Sequence, residues 1–207
     1  LLMLLAVLAF NACDSSSVTE ETIESNIEIL QIKDLHAPFD RENPDTTPYI
    51  YFNLENGSVV DASQANTTNW DIAFRGTQII INSGISGPGQ AGAIMLDLDF
   101  EDVQLAPTEG YLQDTEDALA IKGSDGWYTY TGPAIQPTFA VLTRDQVTIA
   151  LKTASGNKYA KLQVQSYYQG NPDYSDPSFI DVRTRPASQH FTFRYAIQQT
   201  EGLRELN

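Results

Sequence analysis

The stretch from Gln146 to Tyr168 constrains the fold of this chain more than any other. In Gln146–Thr153 the apolar residues Val147, Ile149 and Leu151 recur at every second position, and in Lys158–Tyr168 the residues Ala160, Leu162 and Val164 do the same. A period of two places each set on one face of an extended strand. Between them lies Ala154-Ser155-Gly156-Asn157, in which Gly156 can take the positive φ that a tight hairpin turn requires. The spacing predicts an antiparallel hairpin with one buried face.

The same pattern recurs along the chain. Tyr49–Leu54, Gly57–Asp61, Trp70–Phe74, Thr77–Asn82, Gly92–Phe100, Thr138–Leu142 and His190–Gln198 are short runs rich in β-branched and aromatic residues, bounded by Gly, Pro, Asn and Asp. Such runs read as strands. No long segment after the N-terminal apolar run carries a helical period, so the expectation is an all-β fold with little helix. With 207 residues, 42% of them hydrophobic, the chain is large enough for one domain with a full core. In "NWDIAFR" the alternation assigns Trp70, Ile72 and Phe74 to one face and Asp71, Ala73 and Arg75 to the other. Asp71 and Arg75 are too far apart along a strand to pair, so each is expected to bond a neighbouring strand or turn.

The N-terminus has a different character. "LLMLLAVLAFNAC" is an apolar run ending at the single cysteine, Cys13; it is shorter than the roughly 20 residues of a membrane-spanning helix and has the size of a signal-peptide core. Residues 1–12 read as the remnant of a signal peptide whose beginning precedes Leu1. Leu8–Cys13 resembles a bacterial lipobox, which makes Cys13 a lipidation site and the protein's membrane anchor. Residues 13–25, "CDSSSVTEETIES", are too poor in large apolar residues to fold alone, and read as a flexible tether ahead of a β domain spanning 26–207.

Charge and residue counts remove several kinds of chemistry. With 27 acidic against 12 basic residues, a formal charge of -15, the chain lacks the cations that nucleic acid demands. Two histidines cannot build a three-histidine zinc site, and there is no Cys-x-x-Cys spacing. Asn82–Ala93, "NSGISGPGQAGA", lacks the Gly-Lys-Ser/Thr of a phosphate loop and opens no helix; it reads as a flexible loop between strands. No Gly-x-Ser-x-Gly elbow marks a nucleophile. Asp97, Asp99 and Glu101 alternate onto one face of an extended run, either as a carboxylate cluster or as the charged edge that commonly guards a strand.

Five blocks, taken in order, carry a family resemblance: "NWDIAFRGTQIIINSGISGPGQAGA", "PTEGY", "GWYTY", "IALKTASGNKYAKLQVQSYYQG" and "FTFRYAIQ". Together with the lipobox they resemble the HmuY family of haem-binding bacterial surface lipoproteins, over about Tyr49 to Gln198. The resemblance implies packed antiparallel sheets in a single domain and a binding protein, not an enzyme. It also implies one haem or related tetrapyrrole held between loops, hand-over to a TonB-dependent outer-membrane receptor, and a lipid-anchored place on the surface of a Gram-negative cell.

The best-known family member ligates iron with two histidines, one in a loop ahead of the block matching Gly126-Trp127 and one shortly after it. Here the loop between Tyr111 and Gly126 has no histidine, and Thr131-Gly132 stands at the second position. The remaining candidates for ligand contact are Trp127, Tyr128, Tyr130, His190 and Met95. Tyr128 and Tyr130 share a strand face, and His190 shares one with Thr192 and Arg194, away from Phe191, Phe193 and Tyr195. Two functions follow: a tetrapyrrole carrier, or a tethered module of the same fold that has lost iron ligation and binds something else.

Overall fold

The computed structural model describes residues 27–207; the signal remnant, Cys13 and the tether lie outside them. The described residues form β1 (Ile29–His36), β2 (Ile50–Asn53), β3 (Ser58–Val60), β4 (Ile72–Arg75), β5 (Gln78–Ile81) and β6 (Gly92–Leu96). These are followed by β7 (Tyr128–Tyr130), β8 (Val141–Thr143), β9 (Thr148–Lys152), β10 (Tyr159–Tyr168) and β11 (Ser188–Ile197). Among the described residues helix is limited to the short turn Pro177–Ile180, capped by the Asp176 side chain on Ser178 N–H, and to two 3-10 turns. Among the described residues no helix is long and apolar enough to cross a membrane.

The strands make a five-stranded sheet in the order β1-β11-β10-β9-β6, a four-stranded sheet β3-β2-β4-β5, and the small ribbon β7-β8. All paired strands are antiparallel. The β9–β10 hairpin forms as expected, with Ile149 opposite Leu162 and Leu151 opposite Ala160, but not with one buried face: Thr148, Ala150, Lys161 and Gln163 on the other side are buried too. Gly156 turns it at a φ of 77°. Its alternating residues pack with Phe191, Phe193 and Tyr195 of β11 against Phe52, Ile72, Phe74, Ile79 and Ile81 of the smaller sheet. Phe193 meets the Phe52 ring edge-on at 5.6 Å and stacks on Phe74 at 5.3 Å, so the two sheets lie face to face in one domain.

Two expectations for strand faces need correction. Trp70 does not share the face of Ile72 and Phe74: it packs with Ala73 and Ile80 on the outer side of the small sheet, with Tyr49 and Tyr51 against it. The strand begins only at Ile72, and the bend at Asp71 resets the alternation. Likewise β6 ends at Leu96, so Asp97, Asp99 and Glu101 leave the strand and share no strand face. Glu101 instead pairs with Arg194 at 2.5 Å. That segment crosses the back of the large sheet, where Phe100 is held between Lys161 and Arg194 at 4.4 and 4.3 Å from its ring centre. Lys161 Nζ donates to the carbonyls of Phe100 and Val103, and its burial lowers its pKa.

The glycine-rich connection is packed and not loose. Asn82 is fully buried; its amide donates to the carbonyls of Thr67 and Trp70, and its side-chain oxygen accepts from Gly89 N–H. A Cβ at Gly87 would lie 2.2 Å from that oxygen and 2.8 Å from the Trp70 ring. Glycine here lets the loop lie flat on Trp70.

Candidate functional site

β5 and β6 are edge strands of the two sheets, and the segment 112–126 closes over them, with Leu112 and Ala93 exchanging backbone hydrogen bonds at 3.0 Å. A cavity of about 780 Å³ lies between these parts, within the range of small-molecule sites. Ile94 and Met95 of β6, Val147 and the run Leu119–Ile121 give it an apolar floor, and Tyr128 of β7 adds an aromatic wall. Lys122, Arg144, Asp97 and Asp125 give it charged lining on the remaining side.

The wall formed by 112–126 is fixed by one buried carboxylate. Asp114 is 1% exposed; its two oxygens accept from Ile81 N–H at 3.0 Å and Ala120 N–H at 2.8 Å. Its carbonyl accepts from Ile85 N–H at 3.1 Å. A second device holds the far end of the wall: Trp127 N–H donates to Lys122 O at 3.1 Å, and a Cβ at Gly126 would lie 2.0 Å from that same oxygen. Arg144 completes the turn from outside, donating to Gly126 O at 2.9 Å, Asp125 O at 3.2 Å and the Asp97 carboxylate at 3.1 Å.

Of the residues anticipated for ligand contact, the fold gathers Met95 and Tyr128 here. Met95 sulfur accepts from Lys122 N–H at 3.2 Å. The other three do not line the cavity. Trp127 is 2% exposed and belongs to the core between the sheets, its ring against Tyr128, Tyr167 and Phe191; among the described residues nothing accepts from its indole N–H. Tyr130 is an exposed residue further along β7. His190 stacks on His36 of β1. Lys122, Arg144, Leu119, Ile121 and Asp114 went unnoticed in the sequence. The stretch "ALAIK" (Ala118–Lys122) was the available signal, an apolar run ending on a lysine.

A second, smaller cleft of about 500 Å³ lies across the 115–119 turn, between Tyr49, Tyr51, Ile80 and Ile85. Burial raises the pKa of both tyrosines, offset in part by Arg75. The Arg75 guanidinium lies 4.1 Å over the Tyr49 ring.

The donors present decide what the larger cavity could hold. Among the described residues no group of three or more His, Cys, Asp or Glu gathers around a point that could take a bare metal ion. The floor is apolar, and the charged lining holds two cations, Lys122 and Arg144, with two carboxylates, Asp97 and Asp125; Arg144 already donates to Asp97, so a ligand's carboxylate arm would meet Lys122 or compete with Asp97 for Arg144. For haem iron, Met95 and Tyr128 are donors of the right kinds, and no histidine lines the wall.

A search among curated proteins gives no match to the chain. The model of one family, described as HmuY protein, matches residues 45–180, more than half of the chain, in accord with the antiparallel fold and spanning four of the five sequence blocks that suggested it; the fifth, residues 191–198, lies beyond the match. This protein belongs to the HmuY family.

Proposed function

We propose that this protein binds haem or a closely related tetrapyrrole in the cavity beside β5 and β6. Membership of a family associated with haem binding supports this reading. The observation that carries it is the combination in one cavity of about 780 Å³ of an apolar floor with Lys122 and Arg144. Ile94, Leu119, Ile121 and Val147 would cover the ring, and the two cations would hold its propionates. Met95 and Tyr128 are the residues that could approach the iron, which when present accepts one or two axial donors. Apolar burial contributes about 25 cal/mol per Å², and it acts on the ring whether or not a metal is in it.

A second reading has its own observation. Met95 sulfur already accepts a backbone N–H, and no histidine lines the cavity; a member of the family that dropped iron ligation would keep this pocket for a metal-free ring. Titrating haemin and metal-free protoporphyrin in parallel separates the two. The haem reading expects tighter binding of haemin, with a shifted Soret band that changes in Met95→Leu or Tyr128→Phe. Equal binding of both rings, unaffected by either change, supports the second reading, and no binding of either ring removes both.

The protein acts as a carrier and not an enzyme in this reading. Its place is the outer membrane, held through lipidated Cys13 on the tether of residues 13–25 and facing the cell surface. Its partner is a TonB-dependent receptor that takes the ligand onward. Detergent partitioning tests the anchor, because each buried acyl methylene contributes about 0.8 kcal/mol. The intact protein enters the detergent phase and Cys13→Ala does not; equal partitioning removes the anchor. Receptor hand-over is tested by mixing the loaded protein with receptor-bearing outer membranes and following loss of its Soret band.

A further inference from the structure

The two histidines of the chain stand side by side. His36 ends β1 and is paired in register with His190 of β11. Their ring centres lie 4.5 Å apart with planes 14° from parallel. By alternation along β11 the pair lies on the sheet face away from Phe191 and Phe193, and neither residue lines the cavity described above.

The backbone on both sides of the pair departs from regular strand. Asp34, two residues before His36, has a φ of 53°, and Gln189, next to His190, has a φ of 67°; this left-handed region is unfavourable for any residue but glycine. The register between β1 and β11 slips between Ile32 and Leu35. Side-chain bonds hold both irregularities in place. Asp34 N–H donates to Thr192 Oγ1 and the Asp34 carboxylate accepts from Gly170 N–H at 2.7 Å, while Gln189 Oε1 accepts from Phe39 N–H at 3.1 Å. Bulges of this kind re-aim side chains, and strain that the surroundings enforce concentrates at functional sites.

The tautomer of His190 follows from its partner. Its Nδ1 lies 2.8 Å from the carbonyl oxygen of Ser188, which can only accept, so Nδ1 carries a proton, and in the neutral ring Nε2 then holds the free lone pair. That is the arrangement in which a histidine is oriented for metal ligation. Among the described residues no hydrogen bond engages a ring nitrogen of His36, which is exposed. Two imidazoles bound in cis to one ion, with bonds of about 2.0–2.1 Å, place their ring centres about 4.5–5 Å apart.

We propose that His36 and His190 form a two-histidine site for a borderline divalent transition ion. Imidazole suits Cu²⁺, Zn²⁺ and Ni²⁺, and Cu²⁺ stands highest in affinity among them. His190 keeps its bond to Ser188 O, and the His36 ring, which no hydrogen bond among the described residues holds, turns out of the stacked arrangement to bring one nitrogen onto the ion that His190 Nε2 faces; water fills the remaining positions. The site is independent of the tetrapyrrole cavity.

The test is a titration of the tag-free, full-length protein with copper sulfate against a competing chelator, read by electron paramagnetic resonance. One equivalent of Cu²⁺ should bind with hyperfine structure from imidazole nitrogen. Either His36→Gln or His190→Gln should weaken binding at least tenfold, with circular dichroism showing the variants folded. In the wild type, traces of Cu²⁺ should broaden the ring proton signals of both histidines selectively, a readout that needs no substitution. Binding and spectra unchanged in both variants, with sharp histidine signals, would place copper elsewhere, such as the terminal amine, and overturn the site; so would the absence of binding.

Discussion

Asp71 and Ala154 are 83 residues apart in sequence, and the Asp71 carboxylate accepts the Ala154 N–H at 2.7 Å. Its other oxygen accepts Leu54 N–H at 2.8 Å. One side chain thus joins the β2–β3 turn of the small sheet to the turn of the β9–β10 hairpin in the large one. Burial raises its pKa above 3.8, opposed by those two N–H bonds.

Asp71→Asn is expected to cost about 1–3 kcal/mol at neutral pH, because an amide nitrogen would face one of two buried N–H donors. The pH dependence has a definite sign. An acid whose folded pKa lies above its unfolded value binds the proton more tightly when folded, so its contribution is most favourable below 3.8 and declines as pH rises through the raised value. Wild type should therefore gain on Asp71→Asn as pH falls through that window. Urea unfolding of the pair at several pH values checks this, and a gap that narrows on acidification would contradict the burial argument.

Asp114 does for the cavity wall what Asp71 does between the sheets. Asp114→Asn should cost about 1–3 kcal/mol for the same reason, and hydrogen exchange should speed up first at Ile81 and Ala120, whose N–H groups it holds. Gly84 offers a sharper comparison. A Cβ there would lie 1.8 Å from the Asp114 carbonyl at a φ of 60°, whereas Gly132, at 62°, has nothing within 4 Å. Gly132→Ala should cost about 1–2 kcal/mol for the left-handed backbone alone, and Gly84→Ala clearly more, seen as a larger drop in melting temperature.

The two-residue period made the hairpin, most strands and the all-β class legible in the sequence, because the face toward the apolar core carries large hydrophobic residues at every second position; that the hairpin's other face is buried as well was not legible, since polar Thr148, Lys161 and Gln163 stand on it. Asp71 and Arg75 were each expected to bond a neighbouring strand or turn, and they do: Arg75 reaches Thr47 O, Tyr49 and Gln78. The face of Trp70 was not legible, because a one-residue bend flips alternation without altering composition. β1 was missed since its side chains are mostly exposed or half-buried, and its polar residues blur the pattern. The cavity depends on three segments far apart in sequence, β6, the 112–126 wall and Arg144. No local period reports their meeting, and of its lining residues only Met95 and Tyr128 were named beforehand for ligand contact, while Asp97 and Val147 were read as parts of strand faces. The 1–12, 13–25 and 26–207 partition rests on composition, since its first two segments lie outside the described residues.

Trp70 supports the outer layer of the small sheet. Its indole N–H donates to Ala65 O at 3.0 Å, its ring meets Tyr51 edge-on at 4.8 Å, and the glycine loop lies on it. Trp70→Ala should cost about 3–5 kcal/mol, the range for deleting a large buried aromatic. Because the cavity wall at Leu119 packs on the same cluster, ligand binding should weaken along with stability. A variant that melts like wild type yet fails to bind would show that Trp70 touches ligand directly.

Arg144 decides whether the cavity recognises carboxylate arms. Its side chain is 38% exposed and its partner Asp97 is 83% exposed, so this ion pair contributes about 0–1 kcal/mol in water. A ligand carboxylate covered by the ring it hangs from is less screened, and a hydrogen bond to a charged group contributes about 1.5–3 kcal/mol. The ligand should therefore displace Asp97 from Arg144 at little cost. Three outcomes follow for fluorescence titrations with protoporphyrin and its dimethyl ester. Wild type should bind the free acid about tenfold more tightly than the ester. Arg144→Gln should reduce that preference, with ester binding as the control for any loosening of the wall that Arg144 also holds through Gly126 O and Asp125 O, and Asp97→Asn, which removes the competing carboxylate, should strengthen binding of the acid alone. Added salt should weaken the acid and not the ester. If acid and ester bind wild type equally and Asp97→Asn changes neither, the two cations are not the ligand's partners, and the cavity selects its ring by apolar shape alone.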